Sequence, residues 1–146
     1  MVTIYTIGFT KKSLKGFIDL LKKNEITKLI DTRLSRDSQL SGFAKSKDIK
    51  YVLEEVLKIK YEIIPEFSPT KELLRTYQKD KDWGKYEEGF LELIKERKLE
   101  RLKGIVLDEK ERVCLLCSEE KADKCHRRLL AEFFSILGNK ANIIHL

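Results

Sequence analysis

The amino-acid sequence predicts one α/β domain, residues 1–146: a three-layer, doubly wound, mostly parallel sheet with helices on both faces. Three observations predict it. Strand-like segments alternate with amphipathic helical segments along the chain, the order that builds parallel sheets through helical crossovers. Arg112 to Cys117 (Arg-Val-Cys-Leu-Leu-Cys) is an almost unbroken apolar run, as expected of a central strand covered on both faces. The 146 residues suit one core, since a chain of this length buries roughly two thirds of the surface its unfolded form exposes.

Val2 to Ile7 alternates β-branched and aromatic residues and stops at Gly8, a first strand. Ser13 then caps a helix whose Leu14, Phe17, Ile18 and Leu21 recur at helical spacing, with Asn24 near its end. Thr27 to Thr32 is a second strand, carrying Asp31 and Arg33 at its mouth and followed by a polar loop through Gly42. Ile49, Val52, Leu53, Val56 and Leu57 define a helix over Lys47 to Lys58, and Lys60 to Ile64 a short strand before Pro65. Ser68-Pro69 has the form of an N-cap followed by proline in the first helical position, opening a helix to about Lys79. A further helix runs from Lys85 to Lys98 with Tyr86, Phe90, Leu93 and Ile94 inward. After the apolar strand, Asp123 caps a helix that buries Leu129, Leu130, Phe133, Phe134 and Leu137 and ends at Gly138-Asn139, and Ala141 to Leu146 is the last strand.

Ligands of such sheets bind beyond the carboxyl ends of the strands. Three separate segments fall there: Gly8 to Thr10, Asp31 to Arg36, and Cys117 to Arg128. With the last helix starting at Asp123, Cys125 and His126 occupy its first turn, where free N–H groups and the dipole favour anions and thiolates. Two readings of Cys125 stand, a reactive thiol or a small apolar packing residue. Cys114 and Cys117 have a C-x-x-C spacing, but residues three apart on a strand face opposite ways, so they do not form a joint metal or disulfide site. Cys114 is expected in the core and Cys117 at the site, beside Glu119. Cys117, Cys125 and His126 leave a metal one donor short of a closed tetrahedral set, so no metal is assigned. Asp31 and Arg33 share a face, either as a proton acceptor beside an anion-binding arginine or as an ion pair closing the sheet end. Ser35 and Arg36 extend an anion cradle or belong to a solvated loop.

Thr6-Ile7-Gly8, Asp31-Thr32-Arg33 with Ser35-Arg36 and Phe43, Cys117-Ser118-Glu119 and Cys125-His126-Arg127, in this order and over nearly the whole chain, resemble the DUF488 family. That family's pattern usually reads Gly-His-Ser after the first strand and Asp-Val-Arg at the second. Here Gly8-Phe9-Thr10 and Asp31-Thr32-Arg33 stand instead, and Phe9 removes an acid or base that the histidine would supply. The resemblance implies an enzyme-like arrangement with no particular reaction attached.

Two functions from different classes fit these residues. The leading one is a cysteine-dependent hydrolase or transferase acting on an anionic, phosphate-bearing substrate. Cys117 or Cys125 is its nucleophile, His126 or Glu119 its proton carrier, with Asp31 in the catalytic group. Gly8, Thr10, Arg33, Ser35, Arg36 and Arg127 would hold the anion. A Cys-x5-Arg phosphatase loop is excluded by Asp123 and Ala131 at the required positions, and neither a P-loop nor a dinucleotide fingerprint that would assign a cofactor is present. The alternative is a nucleic-acid or nucleotide-binding module that uses the same arginines. A net charge of +6 favours anionic partners of either kind, although most lysines sit beside glutamates as in a solvated, salt-bridged surface. Composition excludes disordered and collagen-like classes: 42% of residues are hydrophobic and 37% charged, with 7 Gly and 2 Pro. Lys- and Glu-heavy charge with Ile-rich apolar positions is a pattern of heat-loving organisms. No apolar run approaches the ~20 residues of a membrane helix, the first residues lack a secretory leader, and three cysteines form no disulfide set. The expected location is therefore the cytoplasm.

Overall fold

The computed structural model describes residues 2–146. Its five strands, β1 (Thr3–Gly8), β2 (Lys28–Asp31), β3 (Lys60–Ile63), β4 (Val113–Cys117) and β5 (Asn142–His145), form one sheet in the order β3-β2-β4-β1-β5. Every pairing is parallel, so the expected three-layer α/β architecture holds. The apolar run Val113–Cys117 becomes the central strand, all of its residues buried.

The two faces of β4 divide the core. Cys114 and Leu116 face α1 (Leu14–Lys23) and α2 (Ser46–Tyr51), packing with Phe17, Leu21 and Ile49. Val113 and Leu115 face α4 (Trp83–Glu96) and α6 (His126–Leu137), packing with Phe90, Ile94, Leu129 and Phe134. Period-two alternation on a strand thus assigns the two neighbouring layers. Between α2 and β3 the chain passes through a π-helical turn, Val52–Val56, and α3 (Lys71–Asp80) packs on the outside of α4. Among the described residues no helix is long and apolar enough to cross a membrane.

Three boundaries differ from the sequence expectation. The cap of α3 is Thr70, whose Oγ1 accepts from Leu73 N at 3.1 Å, and the Ser68 hydroxyl donates to the Arg33 carbonyl at 3.0 Å. The helix expected from Lys85 starts at Trp83, capped by Asp82, and is followed by a 3-10 turn, Leu99–Leu102, and a short α5, Lys103–Val106, that periodicity did not signal. Helix α6 begins three residues after Asp123. Cys125 is still extended, with φ −140° and ψ 141°, and occupies the N-cap position without a side-chain cap bond. The Asp123 carbonyl instead accepts from Arg128 Nε at 2.9 Å.

Candidate active site

Cys117 closes β4 between the ends of β1 and β2: it is the register partner of Gly8, and Leu116 that of Asp31. β1 and β2 lead to α1 and α2 on one face, whereas β4 leads to α6 on the other. Adjacent strands whose connections part to opposite faces leave a crevice beyond their carboxyl ends. A cleft of about 540 Å³ lies there, lined by Cys117, Glu119, Lys124, Cys125 and His126, by Phe9, Arg33 and Ser35, and by Tyr77, Trp83 and Tyr86.

His126 is the first helical residue of α6, and its buried ring packs against Phe90 at 5.3 Å between centroids. Its Nε2 lies 2.8 Å from the Thr32 carbonyl and its Nδ1 3.7 Å from Cys117 Sγ. A carbonyl only accepts, so Nε2 carries a proton; in the neutral ring Nδ1 is then the acceptor facing the sulfur. The Cys125 thiol donating to it, the Arg127 charge and the Ser118 and Glu119 N–H groups hold the Cys117 thiol below its ordinary range, against the opposing effect of burial. Cys125 moves the other way: its bond to Cys117, burial and the Cys117 charge push it well above that range. Of this pair, Cys117 is the more acidic thiol and Cys125 the less acidic. Cys114 lies on the other face of the sheet, in the apolar layer of α1 and α2, and burial raises its thiol far out of the physiological range.

Asp31 and Arg33 form the buried ion pair at the sheet end. Asp31 Oδ1 accepts from Arg33 N at 3.1 Å and Nε at 2.9 Å, and Oδ2 from Arg33 Nη2 at 2.7 Å and the Tyr61 hydroxyl at 2.5 Å. With four donors on two oxygens, Asp31 has no free lone pair aimed at the cleft, and its task is to hold Arg33. The ring of Phe9 lies 5.4 Å from the guanidinium carbon, so the residue that replaces the family's histidine stacks on the arginine as a cation–π partner. Arg33 is 2% exposed, and its Nη1 is buried without any hydrogen-bond partner.

Arg127 is also fully buried, and each of its three side-chain nitrogens donates within the protein: Nε to Thr6 Oγ1 at 3.1 Å, Nη1 to the Glu119 carbonyl at 2.6 Å, Nη2 to the Glu120 carbonyl at 3.4 Å. It clamps the loop after Cys117 onto β1. Gly8 serves the same contact, since a Cβ there would overlap the Glu119 carbonyl oxygen. Thr10 donates from Oγ1 to the Ser118 carbonyl at 2.5 Å and from N at 3.1 Å. Gly8, Thr10 and Arg127 therefore shape the loop that presents Cys117. Arg36 donates to the Arg33 carbonyl at 3.1 Å and does not line the cleft, whereas the exposed Ser35 and Glu119 do.

The donor atoms of Cys117, Cys125 and His126 all lie within 4.8 Å of one another, and among the described residues no fourth Cys, His, Asp or Glu joins them. Several lining groups, Tyr86 and Lys124 among them, lie outside the site that the sequence indicates. Tyr86, expected only as an inward core residue, also faces the thiols; burial first, then the neighbouring Cys117 and Cys125 sulfurs, raise the pKa of its phenol. Lys124 brings a second cation to the cleft; in the sequence it is indistinguishable from the other exposed lysines.

Neither the curated proteins nor the solved structures contain a match to this chain. The model of one family, described as Domain of unknown function DUF488, matches residues 13–134. That span takes in Asp31, Arg33 and the whole cysteine–histidine cluster, and the chain belongs to the DUF488 family.

Proposed function

We propose that the cleft is the active site of a cysteine-dependent hydrolase or transferase acting on a small substrate with a phosphate or similar anionic group. Cys117 thiolate attacks the electrophilic atom, a bond from sulfur to that atom forms, and the bond to the leaving group breaks. His126, having taken the Cys117 proton at Nδ1, returns it to the leaving group. Water or a second substrate then releases the group from sulfur. The observation that carries this reading is the Cys117 Sγ to His126 Nδ1 approach of 3.7 Å with Nε2 tied to the Thr32 carbonyl, a nucleophile and a base oriented by a third group. The partnerless Nη1 of Arg33 and the ammonium of Lys124 supply the anion's contacts. The nucleic-acid alternative loses two of its cations, because Arg33 and Arg127 are buried and out of reach of a polymer's phosphates.

Alkylation of the folded protein at a series of pH values, resolved peptide by peptide, tests the reading without a substrate. Cys117 is expected to react first, with a midpoint below the ~8.5 of a free thiol, and inorganic phosphate is expected to slow it. If Cys117 reacts only after unfolding, it is not the nucleophile.

A further inference from the structure

Attack on a substrate uses the sulfur of Cys117 alone, and a hydroxyl or an additional N–H would stabilise its thiolate as well as a second thiol does. Cys125 is nevertheless a cysteine, as buried as Cys117, at 3% against 6% exposure, and its sulfur lies within 4.8 Å of both Cys117 Sγ and a ring nitrogen of His126. The two are differently anchored. Cys117 ends the central strand, whereas Cys125 is an extended residue ahead of α6, joined to Cys117 by a loop of bends and turns, Ser118 to Lys124, outside regular structure. Thr10 and Arg127 hold the Ser118–Glu120 end of this loop, so the approach of the sulfurs to the ~2.05 Å of a bond is made from the Cys125 side. The third thiol, Cys114, faces the opposite layer of the core and cannot compete.

We propose that Cys117 and Cys125 form a reversible redox couple that reduces small hydroperoxides, with Cys117 as the attacking sulfur and Cys125 as the resolving one. This rests on the reading of Cys117 as the nucleophile. The thiolate attacks the terminal peroxide oxygen, a sulfur–oxygen bond forms, the oxygen–oxygen bond breaks, and the departing alkoxide or hydroxide takes the proton held by His126. Cys117 is then a sulfenic acid. Cys125 gives its proton to His126 Nδ1, its sulfur attacks that of Cys117, the disulfide forms, and hydroxide leaves as water with that proton. Two electrons pass from the thiol pair to the peroxide, and a small dithiol in solution returns them by thiol–disulfide exchange. Burial selects the oxidant: sulfurs this enclosed are out of reach of a disulfide on another protein, while the cleft admits a small molecule.

The test is to treat the reduced protein with a single equivalent of hydrogen peroxide in a buffer containing a metal chelator. Two of the three thiols should become unavailable to titration under denaturing conditions, the mass should fall by two hydrogen atoms, and fragmentation should place the cross-link between Cys117 and Cys125. Dithiothreitol should reverse all three changes. In Cys125→Ser the Cys117 sulfenic acid should persist long enough for dimedone to trap it, and in Cys117→Ser the peroxide reaction should slow at least about tenfold, to the rate of an ordinary thiol. Survival of three thiols, a cross-link through Cys114, or direct passage of wild-type Cys117 to the sulfinic acid would overturn the proposal. The wild-type result decides it even if a variant fails to fold. Fast alkylation of Cys117 at low pH without a cross-link defeats the redox couple and leaves the nucleophile standing; a Cys117 inert to alkylation and peroxide alike defeats both.

Discussion

Replacing Asp31 by Asn should unfold the protein's site before it touches any proton transfer. Asp31 accepts four hydrogen bonds, three from Arg33 and one from Tyr61, and neither charge of the pair is exposed. An asparagine keeps one acceptor oxygen and turns an amide N–H₂ toward donors, leaving the Arg33 charge buried without a counter-ion. Breaking a buried pair on one side costs about 3–5 kcal/mol, a large share of the ~5–15 kcal/mol that holds a domain together. At ~4 °C per kcal/mol for a chain of this size, the melting temperature should fall by about 10–20 °C. Removing the whole group, with Asp31→Leu, Arg33→Met and Tyr61→Phe together, should recover most of that loss, because apolar side chains of similar volume leave nothing buried and unpaired. Thermal and urea unfolding of the wild type, the single variant and the triple variant measure this. A single variant that melts within ~3 °C of the wild type but no longer turns over would refute it and return Asp31 to the role of proton carrier.

Gly8→Ala should drive the Glu119 carbonyl off β1. The expected result is a melting temperature several degrees lower and a Cys117 whose alkylation midpoint moves back toward ~8.5, since its N–H donors belong to the displaced loop. The pH dependence of stability should change sign across the thiol range. The lowered Cys117 pKa adds stability that is present above the unfolded value and lost as pH falls through the folded one. The raised Cys125 and Cys114 pKa values add stability that is present below the unfolded value and lost as pH rises. Unfolding free energy should therefore rise with pH just below the ordinary thiol value and decline above it; in Cys117→Ser the rising limb should vanish, as urea titrations at successive pH values would detect.

The strands were legible because most are short runs of β-branched, aromatic and apolar residues bounded by polar residues, glycine or proline, and the opposite facing of Cys114 and Cys117 followed from the pleat alone. The helix starts were not. Ser68 and Asp123 have good capping chemistry, but the helices start at Lys71 and His126, capped by Thr70 and Cys125, and the Ser68 hydroxyl turns to the distant Arg33 carbonyl, a contact of which local sequence carries no record. The same blindness affected the arginines. A sequence exposes Arg33, Arg36 and Arg127 equally to an incoming anion, whereas folding commits the Arg127 nitrogens to Thr6, Glu119 and Glu120, ties Arg36 Nη1 to the Arg33 carbonyl and leaves Arg33 Nη1 buried without a partner. Tyr86 was assigned to the core by its helical spacing, which says which face of α4 is covered and nothing about the thiols across from it.

The position of β4 also bears on how the molecule is made. β1 and β2 never pair with each other; the slot between them is filled by a strand synthesised only after α1 to α5. Until Val113–Cys117 has left the ribosome, β2 has β3 as a partner but β1 has none, and both expose apolar edges. Sheets closed by such distant segments fold slowly and pass through aggregation-prone species. A nascent chain halted before its last quarter would thus be a client for a holding chaperone, its thiol site not yet made.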